Sequence, residues 1–235
     1  MSIEEDYSIL KEEISLYRQR IQEVIIRGTE EESLCKGFAV WFSELKFQPT
    51  FLFIGINPGA GFYREYGIKY RDTDLDPSDC FEYCEYGGKL AEDTIEVFSK
   101  LKLEEELLNS VKTNIHYLVT NNQKELIRLQ GLLIDKFGIN LYEKAEQWTK
   151  KIIEIIQPKC ILCEGAYSAM RIAEYYGVNF EWQNNICRFM IKENTFVIGY
   201  KRTYATIMNK NELQNQIGKV YEELIDQKKT VSYEP

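Results

Sequence analysis

The chain has 235 residues, 44% of them hydrophobic and 28% charged, enough to bury a substantial core in one domain or at most two small ones. A formal net charge of -8 argues against broad non-specific binding to duplex DNA, which depends on Lys and Arg neutralising phosphates, so any nucleic-acid contact must use a local basic patch. No apolar run is long enough to span a bilayer, and the N-terminus (Met1-Ser2-Ile3-Glu4-Glu5-Asp6) is acidic where a targeting peptide is basic. A cytoplasmic protein with no membrane partner is the expectation.

Tyr7, Leu10, Ile14, Tyr17, Ile21 and Val24 recur at spacings of three and four, the pattern of an amphipathic helix. Thr29 with Glu32 predicts a capping-box start for a second helix carrying Leu34, Phe38, Trp41, Phe42 and Leu45, ended by Pro49. Phe51-Leu52-Phe53-Ile54 is an unbroken apolar run that leads into Gly55-Ile56-Asn57-Pro58-Gly59, as expected for a strand covered on both faces in a parallel sheet. From Ala60 to Gly88 the chain has no clear period and reads as one long loop. A helix follows around Leu90 to Leu101, then a strand over 115–120, a helix over 123–136, and a strongly periodic helix from Leu141 to Ile155 stopped before Pro158. Lys159 to Cys163 reads as the next strand and Gly165 to Gly177 as a helix. Ile186 to Ile191 and Thr195 to Tyr200 read as a hairpin pair, and Asn209 with Glu212 caps the last helix.

Helices alternating with short apolar strands predict a three-layer α/β/α sandwich around a central, mainly parallel four-stranded sheet, with an N-terminal helical extension. Residues 1–48 are expected to pack as helices on an α/β core of residues 49–235, one domain overall. Ligands in such folds bind beyond the carboxyl ends of the strands. The six cysteines are expected to be free thiols, Cys160 and Cys163 as core residues of a strand on which they face opposite ways. Asp72, Asp74 and Asp76 have the rhythm of a calcium loop, but Pro77 and Tyr83 occupy its Gly and Glu positions, so a solvated acidic loop is the better reading.

In the loop after the first strand, Asn57 precedes a proline and is pushed toward an extended backbone, while the flanking glycines permit a sharp turn and close approach of a ligand. A carboxamide at that place can orient a water through its oxygen, though it is a poor general base. A plain strand-ending turn in which Asn57 bonds only backbone explains the same residues equally well.

Phe51 to Gly59 resembles the first motif of the uracil-DNA glycosylase superfamily, closest to its mismatch-specific thymine and uracil branch, which carries the same Gly-Ile-Asn-Pro-Gly string. Tyr117-Leu118-Val119-Thr120-Asn121 is similar to that family's second strand, and the stretch from Pro158 to Gly165 to its third. The resemblance implies that Asn57 positions the water that attacks the sugar carbon, within a base pocket of Gly55, Ile56, Pro58 and Gly59. It further implies that Asn121 reads the base edge and that Phe62 or Tyr63 stacks on an extruded base, with no metal or cofactor. The family's last motif, a His-Pro-Ser or similar string, is replaced by Gly199-Tyr200-Lys201-Arg202-Thr203-Tyr204. There Lys201 and Arg202 can grip phosphates and Tyr200 or Tyr204 can stack, or the pair is an exposed basic turn. His116, the only histidine, does not map onto that motif and reads as a buried, hydrogen-bonded residue.

The function expected is hydrolysis of the N-glycosidic bond of uracil or a related damaged or mismatched base in DNA. The alternative is an inactive module of the same type that binds a base, nucleotide, nucleic acid or protein partner.

Overall fold

The computed structural model describes residues 2–59, 75–192 and 194–231. It is an α/β protein with a mostly parallel central sheet flanked by helices. The strands are β1 (Phe51–Gly55), β2 (Val111–Asn114), β3 (Cys160–Glu164), β4 (Ile186–Ile191) and β5 (Thr195–Tyr200), in the order β2-β1-β3-β5-β4. β1 pairs in parallel with β3, and β3 with β5, in a register that sets Phe51 beside Cys160 and Glu164 beside Tyr200; β4 closes the edge antiparallel to β5. The sheet therefore has five strands where the apolar runs predict four. The added one is β4, the partner of the predicted hairpin, joined into the same sheet.

The described residues divide into two compact units. One comprises residues 1–47, 55–79 and 113–157. In it, α1 (Ile3–Val24) starts at Ser2, whose hydroxyl and the Glu5 carboxylate form a reciprocal capping box, and buries Tyr7, Leu10, Ile14 and Ile21. α6 (Gln123–Phe137) and α7 (Leu141–Ile156) begin at the Asn122 and Asn140 side chains. Trp148 of α7 stacks on Tyr117, with ring centroids 5.6 Å apart, and meets the edge of Tyr17.

The predicted second helix is much shorter than its sequence pattern suggests. α2 spans only Glu30–Leu34, beginning at Thr29, whose hydroxyl accepts from Glu32. The chain then turns at Gly37, φ 139°, and runs extended past residues 113–119. Ala39 N donates to Tyr117 O, and Phe38 and Trp41 bridge Leu118 and Thr113. Gly37 breaks the helical period, and the bulky Phe38, Val40 and Trp41 gain more as fully buried extended residues than in a helix with a solvated face.

The other unit comprises residues 48–54, 80–112 and 158–235. Its core joins Phe51 and Phe53 of β1 to Phe98 of α4 (Lys89–Leu101), Ile198 of β5 and Leu213 of α9 (Lys210–Val231). Each such buried side chain stabilises by about 1.5–3 kcal/mol. Two short helices were not predicted: α3 (Glu82–Tyr86), inside the expected long loop, and α5 (Glu104–Leu108). Gly199 lies where α8 (Ala166–Tyr176) packs tightly on the sheet: a Cβ there would lie 2.5 Å from Ala169 Cβ and 2.7 Å from Cys187 Sγ. Cys160 and Cys163 are buried free thiols in β3, and burial raises both thiol pKa values. Among the described residues no helix is long and apolar enough to cross a membrane.

The predicted strand at 115–120 is also displaced. The regular strand is Val111–Asn114, while residues 115–120 continue from it and are paired by single bridges and separate hydrogen bonds.

Candidate functional site

The loop after β1 takes its shape from backbone pairing with residues 115–120. Ile115 N donates to Gly55 O at 3.0 Å, His116 N to Ile56 O at 2.9 Å, and Thr120 N to Pro58 O at 3.4 Å, while Gly59 and Thr120 form a parallel bridge. Residues 55–59 are thus held alongside 115–120. Neither Gly55 nor Gly59 has a positive φ, and a Cβ at Gly59 would meet nothing within 4 Å among the described residues. The described part of the loop uses no left-handed glycine, and its continuation beyond Gly59 lies outside the described residues.

Asn57 is half-buried and its amide nitrogen faces three acceptors: Pro58 O at 3.0 Å, Leu118 O at 3.2 Å and Thr120 Oγ1 at 3.0 Å. Two are carbonyls, which only accept. The Thr120 hydroxyl gives its one proton to Asn122 O at 2.9 Å, so toward Asn57 it too can only accept. The orientation of the carboxamide is fixed by this set, because flipping it would set Oδ1 against three acceptors, a loss of roughly 1–3 kcal/mol for each donor left unmade. Oδ1 takes no hydrogen bond from a described residue. Among the described residues it is an acceptor held in place without a donor, and an amide oxygen so placed can orient a water or a donor on a ligand.

Thr120 leads into the start of α6. The Asn122 side chain accepts from Glu125 N at 3.0 Å, and the Glu125 carboxylate accepts from Asn121 N at 3.1 Å and Asn121 Nδ2 at 2.8 Å. Asn121, expected to read a base edge, is exposed, and its amide nitrogen is engaged with Glu125. Phe62 and Tyr63 lie outside the described residues. His116 is 3% exposed with Gln130 Nε2 at 3.0 Å from its Nδ1, the buried, hydrogen-bonded role expected of it.

Lys201, Arg202 and Tyr204 belong to the other unit. Lys201 leaves β5 with its ammonium 4.9 Å from the centre of the Trp182 ring. A tight hairpin follows, β6 (Arg202–Thr203) with β7 (Thr206–Ile207), which the sequence did not announce. Arg202 Nε lies 3.6 Å from where a Cβ of Gly165 would stand. Tyr204 sits at the tip, left-handed at φ 54° and 94% exposed.

That unit also contains a buried ionic cluster that hydrophobic patterning misses. Glu164, at the end of β3, is 2% exposed. It accepts from Lys112 Nζ at 2.7 Å and from the hydroxyls of Tyr83 and, at 3.5 Å, Tyr200. The Lys112 ammonium also lies 3.7 Å from the centre of the Tyr83 ring and 3.8 Å from Glu82. Burial first, and then the Glu164 charge, push both tyrosine hydroxyls well above their ordinary pKa, so they remain protonated donors. Hydrophobic patterning passes over β2 because Lys112 sits inside it, buried as half of an ion pair with Glu164.

No protein-family model matches this chain, and no curated protein sequence matches it.

Proposed function

We propose that the chain is a DNA base-excision glycosylase with a uracil-DNA glycosylase-like fold, which hydrolyses the N-glycosidic bond of uracil or a related damaged or mismatched base. The observation that carries this reading is the Asn57 carboxamide, held through its nitrogen directly after a buried strand, with Oδ1 taking no hydrogen bond from a described residue. In the reaction, the bond from the sugar carbon to the base breaks as positive charge grows on the sugar, and Asn57 Oδ1 holds a water at that carbon. An amide does not take the proton, so the water deprotonates as it adds, to solvent or to the departing base. Gly55, Ile56, Pro58 and Gly59 form the wall along which the base lies, and Asn121 reads its edge. Lys201, Arg202 and Tyr204 supply a local phosphate and stacking contact that a chain of net charge -8 needs if it is to hold DNA.

The short hairpin at residues 202–207, standing where the resemblance expects a Pro-Ser string, favours a second reading: a binding module of the same type without catalysis. Incubation with single- and double-stranded oligonucleotides carrying uracil, a thymine mismatch or hypoxanthine, followed by cleavage of abasic sites, separates the two. Base release by the wild type that survives or rises in Asn57→Asp supports the enzyme, because a carboxylate orients water and also accepts a proton. Wild-type protein that binds these oligonucleotides without releasing a base establishes the second reading.

A further inference from the structure

We propose that Thr120 is a positioning residue of the Asn57 loop: its buried hydroxyl, together with the Pro58 and Leu118 carbonyls, holds the Asn57 carboxamide in one orientation. This inference rests on the glycosylase reading for its consequence in rate, but its geometric content does not. Thr120 is 0% exposed, and its hydroxyl is the one member of the acceptor set around Asn57 that is a side chain. A hydroxyl can rotate to donate or to accept, and here the Asn122 carbonyl 2.9 Å away removes that choice. Because Asn122 also provides the N-terminal cap of α6, the direction of the Asn57 amide is tied to the first turn of a 15-residue helix. The same turn holds Asn121, through Glu125. The water-holding and base-reading candidates thus share one short hydrogen-bonded relay: Asn57, Thr120, Asn122, Glu125, Asn121.

Removing the Thr120 hydroxyl leaves the Asn57 nitrogen with two backbone acceptors, which still disfavour the flipped amide but hold it over a wider range of angles, so Oδ1 spends less time where water must be held. Restoring a hydroxyl without the methyl group restores the relay.

The test uses the full chain labelled with ¹⁵N, in which the side-chain amide pair of Asn57 is assigned by its loss in Asn57→Asp. Thr120→Val should shift that pair and speed its exchange with water, while Thr120→Ser keeps both close to wild type. On a uracil-containing oligonucleotide, Thr120→Val should lower single-turnover base release by roughly 10- to 100-fold, the scale of losing a positioning group, with oligonucleotide affinity unchanged; Thr120→Ser should recover to within about threefold. Thr120→Ala replaces Thr120→Val if the latter melts below the assay temperature. An unmoved Asn57 amide pair in the hydroxyl-free variant, or a Thr120→Ser variant as impaired as Thr120→Val, overturns the proposal. Absence of base release by the wild type on every oligonucleotide overturns the glycosylase reading, and the amide signal still decides the role of Thr120.

Discussion

Asn57 and Glu164 both stand at or just past the carboxyl end of a parallel strand, and both are surrounded by hydrogen-bond partners, yet they are finished differently. Around Glu164 the partners are charged or phenolic, and the two carboxylate oxygens both receive donors inside the protein. Around Asn57 the described partners are neutral and engage only the nitrogen, and the oxygen takes no hydrogen bond from a described residue. A buried polar group whose every atom is satisfied is scaffold, because nothing remains for a ligand to take. A polar group fixed at one atom and unspent at another is prepared for something that arrives later. The difference separates two clusters that composition alone would rank the other way, since charged residues usually draw attention first.

The sharpest test of that contrast is Glu164→Ala. It leaves the Lys112 ammonium buried without its main partner, which costs about 3–5 kcal/mol and, for a chain of this size, lowers the calorimetric midpoint by roughly 10 °C. A drop of a degree or two would mean that Glu82 or water takes over the ammonium and that the cluster is open. Next comes Asn57→Ala, which should reduce base release by about two orders of magnitude, measured well below the midpoint, while costing about 1–2 kcal/mol of stability for the acceptors it strands. Loss of stability with unimpaired base release would make Asn57 scaffold too and erase the distinction.

A third glutamate sharpens the role of burial. Glu13 of α1 accepts from Lys144 and Lys151, each at 2.9 Å, and from Trp148 Nε1 at 3.2 Å, but a third of its side chain is exposed. Burial pushes its pKa up, and the hydrogen bonds from Lys151, Lys144 and Trp148 outweigh it, holding the carboxyl down to about 2. A carboxyl depressed in the folded state stabilises above its unfolded value of 4.5, and that contribution fades as pH falls from there toward 2. With solvent screening it amounts to about 1 kcal/mol or less, so Glu13→Gln should narrow the gap between urea midpoints at pH 7 and pH 3 only slightly. A change as large as that of Glu164→Ala would show that exposure does not separate the two. The smallest effect is expected from joint replacement of Lys201 and Arg202 by Ala: weaker oligonucleotide binding and a salt dependence flatter by about one to two units of slope. An unaltered slope would assign the pair to an exposed basic turn.

The sequence made some of this readable and hid the rest for identifiable reasons. Phe51 to Ile54 announces a buried strand because four apolar side chains in a row leave no solvated face, and Pro58 with its glycines marks where the strand ends. Val111-Lys112-Thr113-Asn114 does not, because its polar residues are buried against partners far along the chain; Glu164 lies 52 positions from Lys112. For the same reason Asn57 is legible as a residue of interest but its orientation is not: the hydroxyl that fixes it is 63 positions away. The helix expected to carry Leu34 to Leu45 fails where Gly37 turns the chain, since periodicity counts side chains and takes no account of backbone angle.

Gly199 has a consequence for how this protein can vary among its descendants. With Ala169 Cβ and Cys187 Sγ closing over it, the three positions cannot change independently. Any sequence that places a methyl group at 199 is expected to give one up at 169 and to carry a side chain smaller than cysteine at 187, or else to let α8 lift from the sheet. Positions 169, 187 and 199 should therefore be inherited as one linked substitution, and a lineage that broke the link without moving the helix would show that the close approach at Gly199 does not constrain the chain.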